Sequence, residues 1–350
     1  MNRRRYAILA IDRFAVDAKT AHGVIRYGED EVVAVVDPAC AGRRAGEVLP
    51  HLQSEAPVVA TVEESLAYAP TSLLIGTAPR GGALPAQWRK AVLDAIAAGL
   101  EIVSGLHDML AEDREFRTAA MQAGTSIWDV RKPPDVPLFS GAVYGVAAPV
   151  LLTIGNDCAV GKMSVSLEIV RAARDAGVNA RFVPTGQTGI MIAGWGISVD
   201  RVVADFAPGA TEQLVLYAAR EGAELIVVEG QGAINHPAYA PVTLALMFGS
   251  APDALILVCD PQRTHIEEYD TPALGYRALI DLHERLLATV KPATVVGIAL
   301  NTRGLGDERA REEIARASDE TGLPADDVVR FGAARLYDRI RPHVLKRARL

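Results

Sequence analysis

Short apolar runs alternate with amphipathic stretches along most of this chain. In the first part, residues 6–11, 31–36, 72–75, 101–104 and 125–129 read as buried strands. A helix is expected to begin within Ala21–Arg26. Another covers 84–98, with apolar residues at Trp88, Val92, Leu93, Ile96 and Ala97, and a third covers 109–123. The alternation resumes later, with strands expected at 150–154, 180–183, 225–228, 254–259 and 294–300. Helices are expected there at 162–176, 211–221, 272–290 and 308–321, followed by a strand near 328–331 and a last helix from Ala333. Continuous apolar strands separated by helices predict parallel sheets covered on both faces.

The stretch Arg131-Lys-Pro-Pro-Asp-Val-Pro137 interrupts this pattern. Proline-rich chain neither joins a sheet interior nor continues a helix. We therefore expect a linker over 131–148, a first domain over 1–135 and a second over 145–350.

Composition narrows the function classes. The chain has 350 residues, half of them hydrophobic and 23% charged, with a net charge of -7. That excludes the basic field of a general nucleic-acid binder, and the basic tail at Lys346, Arg347 and Arg349 is too short to change this. No run suits a membrane span; the apolar start ends at Asp12 and Arg13, so it reads as a first strand. Cys40, Cys158 and Cys259 lack metal-ligand spacing and fit a reduced, cytoplasmic setting. No metal centre is expected from them. The partner expected is a small-molecule substrate, with no nucleic acid and no membrane. The apolar 190–199 segment reads as a lid or as an interface in a homo-oligomer.

The strongest chemical signal follows the strand at 150–154. It runs Gly155, Asn156, Asp157, Cys158, Ala159, Val160, Gly161, Lys162, Met163, Ser164 and leads into a helix. Glycines let backbone N–H groups converge on an anion, the helix N-terminus adds its dipole, and Lys162 adds a full charge. Five residues separate Gly155 from Gly161, one more than usual. Met163 stands where the Mg²⁺-binding hydroxyl normally sits, with Ser164 one later. A thioether is a poor ligand for a hard cation, so either Ser164 or another group compensates, or the loop anchors a phosphate that is not transferred. Cys158 is either a nucleophile activated by the loop or a small side chain that fits it.

Other candidates lie at strand ends, where open parallel sheets bind ligands. Pro184-Thr-Gly-Gln-Thr-Gly189 offers Gln187 and Thr188 to a carboxylate or phosphate, or forms an ordinary turn. Glu229, after four apolar residues and before Gly230-Gln-Gly232, sits at the Walker-B position and suits a general base. His236 follows closely, as a second base or a turn residue. Arg263 suits a bidentate clamp on a carboxylate or a structural ion pair, with Asp260 and His265 beside it. Arg80 lies in Thr77-Ala-Pro-Arg-Gly-Gly82, an anion-binding loop or an exposed turn. In the first domain, Asp37 ends a strand as the acidic ribose-binding residue of a dinucleotide fold does. Ile11–Thr20 has no glycine fingerprint, so a scaffold without NAD is expected.

The spacing and wording of the phosphate loop resemble the dethiobiotin synthetase branch of P-loop proteins. In that branch an Asn at a strand end reads adenine, which the resemblance carries to Asn301. The chain as a whole resembles a bacterial and archaeal family pairing a Rossmann-like N-terminal domain with a P-loop domain. The residues that carry this are His22-Gly-Val-Ile-Arg-Tyr27, Ser104-Gly-Leu-His107, Asn156-Asp-Cys-Ala-Val-Gly-Lys-Met163, Pro184–Gly189 and Glu229-Gly-Gln-Gly232. That family includes D-glutamate N-acetyltransferases. The resemblance implies acetyl-CoA as cofactor, with its phosphates in the loop. Glu229 is then the base with His236 second, glycine N–H groups at 230–232 hold the oxyanion, and Arg263 and Arg80 hold the acceptor's carboxylates. The rival expectations are an ATP·Mg²⁺-dependent ligase or kinase and a non-catalytic nucleotide-binding regulator.

Overall fold

The computed structural model describes residues 3–77 and 79–345, the side chain of Arg80 excepted. The basic tail and the Arg80 side chain therefore lie outside the described residues. Two compact units are present. One extends to Pro133 and also includes Gln187–Ser198; the other holds Pro134–Gly186 and the chain from Val199 onward.

The first unit is built on six strands: β1 (Arg5–Leu9), β2 (Glu31–Val36), β3 (Val58–Val59), β4 (Ser72–Ile75), β5 (Glu101–Ser104) and β6 (Ile127–Asp129). They form one sheet in the order β3-β2-β1-β4-β5-β6, and every pairing is parallel. This is the doubly wound order of a Rossmann-like domain. Its helices are α1 (Lys19–Tyr27), α2 (Ala45–Val48), α3 (Val62–Ser65), α4 (Arg89–Ala97) and α5 (Arg114–Ala123). Leu9, Leu73, Ile75, Trp88, Ile96 and Phe116 share one core cluster, as strands covered on both faces require.

Asp37, at the end of β2, does not wait for a ribose. One carboxylate oxygen accepts the amides of Asp12 and Ala39, each at 3.0 Å, and the other accepts the Phe14 amide at 3.0 Å. The loop after β1 thus folds onto Asp37, with Phe14 fully buried, where a dinucleotide fold would keep glycines open to a pyrophosphate.

The second unit carries β7 (Val150–Gly155), β8 (Ala180–Val183), β9 (Leu225–Val228), β10 (Ala254–Cys259), β11 (Thr294–Leu300) and β12 (Ala325–Asp326). Their order is β12-β11-β10-β7-β9-β8, again all parallel. From β7 the chain moves toward β8; from β10 it moves toward β11. The crevice where such directions diverge is the expected ligand site of an open sheet. Helices follow as α6 (Lys162–Asp175), α7 (Gln187–Ala193, in the first unit), α8 (Ala207–Arg220), α9 (Ala240–Ser250), α10 (Tyr276–Leu287), α11 (Asp307–Thr321) and α12 (Ala334–Leu345).

Three local expectations change. The last strand is β12, which pairs with Ile298 and Ala299, and not 328–331. Asp327 accepts the amides of Val329 and Arg330 at 3.1 and 3.0 Å, and this turns the chain just where the apolar residues suggested extension. Helix α9 was not expected. The 190–199 segment is no exposed lid, because Ile190, Met191 and Ile192 are buried on α7.

Candidate functional site

The phosphate loop joins β7, buried along its length, to α6. Gly161 caps that helix with φ +109°, a left-handed backbone that side-chain-bearing residues rarely adopt. Lys162 begins α6, and its Nζ donates to the Asp157 carbonyl at 2.7 Å. Lys162 is buried, and desolvation lowers its pKa below the ordinary lysine value. A phosphate brought to such a lysine restores the charged form, so the arrangement favours an anion.

Side chains around the loop hold its shape. Asp157 is fully buried; one oxygen accepts the Cys158 amide at 2.6 Å and the other the Glu267 amide at 2.8 Å. Arg263 Nη1 stands 3.3 Å from the second oxygen. Asn156 exchanges two 3.2 Å hydrogen bonds with the backbone of Asp260, tying the ends of β7 and β10 together. Asn301, at the end of β11, donates to the Val160 carbonyl and accepts the Arg303 amide, both at 3.2 Å. Asp260 accepts the Gln262 amide, while His265 is exposed 3.8 Å from Asp270.

Glu229 closes the other side of the β7 end. Its Oε2 accepts the amides of Thr185 and Gly186 at 2.9 and 3.0 Å. Burial pushes its carboxyl up to about 7, against the pull of those two amides. The Thr185 hydroxyl donates to the Glu229 carbonyl at 2.8 Å, and the Gln231 amide group donates to the Thr185 carbonyl at 2.7 Å. A carboxyl near neutrality, clamped on one oxygen, is fit to accept a proton at physiological pH. The Gly230 amide is committed to Thr153 Oγ1 at 2.9 Å, so it is not the oxyanion donor expected there.

His236 is 2% exposed. One ring nitrogen lies within 4.8 Å of a carboxylate oxygen of Asp157 and of Cys158 Sγ. Tyr239 stacks on the ring at 4.6 Å between centroids, and Tyr269 meets it edge-on at 5.3 Å. Burial pushes the Cys158 thiol up to about 11, outweighing the nearby Lys162. The thiol is protonated at neutral pH, which removes the activated nucleophile and leaves a small side chain that fits the loop.

The fold therefore gathers Gly155–Ser164, Glu229, His236, Arg263 and Asn301 around strand ends of the second unit. Gln187 and Thr188 belong to the first unit. There Gln187 Nε2 donates to Thr20 Oγ1 on α1 at 2.8 Å and to Thr188 Oγ1 at 2.6 Å. Thr153 and Tyr269 also border the site, outside every motif named above. Thr153 had a signal, a lone hydroxyl in an apolar strand just before the loop.

Comparison with known proteins agrees with the two-domain fold. Residues 137–337 match the C-terminal P-loop domain, and residues 38–133 the N-terminal Rossmann-like domain, of the DUF1611 family, both described as domains of unknown function. The chain belongs to the DUF1611 family. A crystal structure of a DUF1611 protein from Anabaena variabilis superposes with a TM-score of 0.92 at 39% identity, covering 97% of this chain and 99% of that one. A D-glutamate N-acetyltransferase from Tritonibacter scottomollicae is 37% identical over 80% of this chain and 84% of its own. A protein of the same name from a Pseudoalteromonas species is 36% identical over 75% of this chain and 78% of its own. Among the described residues, no helix is long and apolar enough to cross a membrane.

Proposed function

We propose that this protein moves an acetyl group from acetyl-CoA to the amine of D-glutamate or a similar acidic D-amino acid. The reaction class rests on the family and on the names of its relatives. The observation that carries it at the site is Glu229, a buried carboxyl pushed up to about 7 beside a phosphate-binding loop. Gly155–Ser164 would hold the CoA phosphates, with Asn301 bordering the loop. Met163 in the Mg²⁺ position fits a phosphate that is anchored and not transferred.

In this reading Glu229 takes a proton from the acceptor's ammonium group. The amine nitrogen then attacks the thioester carbonyl carbon, the N–C bond forms and the C–S bond breaks. The departing thiolate takes back the proton that Glu229 holds, and the nitrogen's second surplus proton leaves to solvent as the amide forms. The two amides on Oε2 keep the carboxyl oriented through both transfers, so the reactants' proximity is used productively.

Calorimetry with acetyl-CoA and with ATP·Mg²⁺, on wild type and Lys162→Ala, tests the reading. Acetyl-CoA binding that weakens in Lys162→Ala, with turnover of D-glutamate, supports it. Tight ATP·Mg²⁺ binding with no acetyl-CoA binding would overturn it in favour of a ligase or kinase. Binding of both without turnover would favour a regulator.

A further inference from the structure

Acyl transfer through a tetrahedral intermediate needs a donor for the oxygen that becomes negative. The Gly230 amide is committed to Thr153 and does not serve. His236 has the geometry for it. Its Nδ1 accepts the amides of Ala238 and Tyr239 at 3.1 and 3.3 Å. A nitrogen that accepts two N–H groups carries no proton of its own, so the neutral ring bears its hydrogen on Nε2. Those amides belong to the turn that enters α9, which fixes the ring from behind. Tyr239 and Tyr269 pack on the ring and prevent it from turning over.

Nε2 makes no hydrogen bond among the described residues, although His236 is only 2% exposed. The ring is pre-oriented beside the loop, with one of its nitrogens within 4.8 Å of a carboxylate oxygen of Asp157 and of Cys158 Sγ. The same tautomer makes it unfit as a base, since an acceptor nitrogen facing the ligand is absent.

We propose that His236 is the oxyanion donor of this enzyme: its Nε2–H holds the thioester carbonyl oxygen as that oxygen gains charge. This rests on the acetyltransferase reading above. As the amine attacks, the carbonyl π pair moves to oxygen and is met by Nε2–H. The pair returns as the C–S bond breaks, and the proton never leaves the imidazole. Glu229 alone carries the proton from the amine to the thiolate.

The test combines kinetics with a direct view of the ring. Wild-type turnover of acetyl-CoA and D-glutamate is measured first, and its absence sinks the acetyltransferase reading itself. In an active enzyme, His236→Ala should lose about 10²–10³-fold in kcat, the usual cost of one oxyanion donor. Acetyl-CoA affinity by calorimetry should stay within about threefold. His236→Gln, which restores an N–H donor and no base, should recover at least tenfold over the alanine variant by the same reasoning. Its kcat/KM profile should keep the limb near pH 7 that Glu229 sets. Nitrogen NMR of labelled histidine in the wild type should show the Nε2–H tautomer at neutral pH. An Nδ1–H tautomer, an imidazolium at pH 7, loss of the pH limb in His236→Gln, or equal activity of the Gln and Ala variants would overturn the assignment.

Discussion

Arg263 Nη1 stands 3.3 Å from Oδ2 of Asp157, a carboxylate with no exposed surface. The arginine lies on the loop after β10 and the aspartate inside the phosphate loop, so the ion pair fastens one to the other. An arginine used in this way shapes the phosphate loop. Removing it leaves a buried charge with two amides and the Lys162 charge nearby but without its ion-pair partner, a loss of about 1–3 kcal/mol. Arg263→Ala should therefore raise the Kd for acetyl-CoA about tenfold, or about 1.4 kcal/mol, while KM for the amino acid changes little. Initial-rate kinetics with each substrate varied in turn check this. A selective rise in the amino-acid KM would restore Arg263 to a substrate-binding role.

Glu229 links activity to stability with opposite signs. Its folded-state pKa is about 7 and the ordinary glutamate value is 4.5. The folded protein thus binds a proton more tightly than the unfolded chain does. The neutral form's stabilising effect is fully present below the unfolded value and is lost as pH rises from there through 7. At pH 8 the ionised carboxylate costs at most about 3 kcal/mol. Glu229→Gln should then unfold at higher denaturant than wild type at pH 8, with the difference vanishing near pH 4.5. Its kcat should fall by about 10²–10⁴-fold. Denaturant melts at the two pH values, with turnover on the same samples, make the comparison; full turnover in the variant would remove Glu229 as the base.

These relationships show what the chain discloses of itself. The phosphate loop is legible because its chemistry is local, with a strand, two glycines, a lysine and a helix in immediate succession. Glu229 is legible because four apolar residues deliver it to a strand end. The partners that tune them come from far along the chain; the Glu267 amide reaches Asp157 across 110 positions. No spacing rule foretells that. Helix α9 escaped because Leu244-Ala-Leu-Met-Phe248 is apolar on every side, so no 3.6-residue period stands out. The bonds of Gln187 and Thr188 to α1 are hidden for a related reason. Their motif borders the loop that holds Glu229, yet their side chains serve α1.

Cys158 permits a sharp negative prediction. With its thiol pushed up to about 11, only about one molecule in a thousand carries the thiolate at pH 8. Acetyl transfer should pass directly between the two substrates. Intact-protein mass spectrometry after mixing with acetyl-CoA alone should show no acetyl adduct on Cys158, and initial-rate patterns should intersect. Parallel lines, as in a ping-pong mechanism, together with an adduct mapped to Cys158, would reinstate the cysteine as a nucleophile.

Gly230 tests whether the two halves of the site depend on one close backbone approach. Its amide donates to Thr153 Oγ1 at 2.9 Å, which brings the end of β9 against β7. A Cβ at Gly230 would fall 1.7 Å from the Thr153 carbonyl oxygen and 3.1 Å from Cδ of Lys162. The first neighbour is backbone in a buried strand and cannot move without displacing β7, and the phosphate loop with it. Gly230→Ala should cost about 3 kcal/mol or more. Any folded fraction should bind acetyl-CoA more weakly, because the loop that leads to Lys162 follows β7 and Glu229 follows β9. Gly145→Ala is the control, since its Cβ would meet nothing within 4 Å, and its stability should stay within about 0.5 kcal/mol of wild type. Urea melts of the three proteins decide the matter; equal midpoints for Gly230→Ala and wild type would show that β7 and β9 yield at this point without loss.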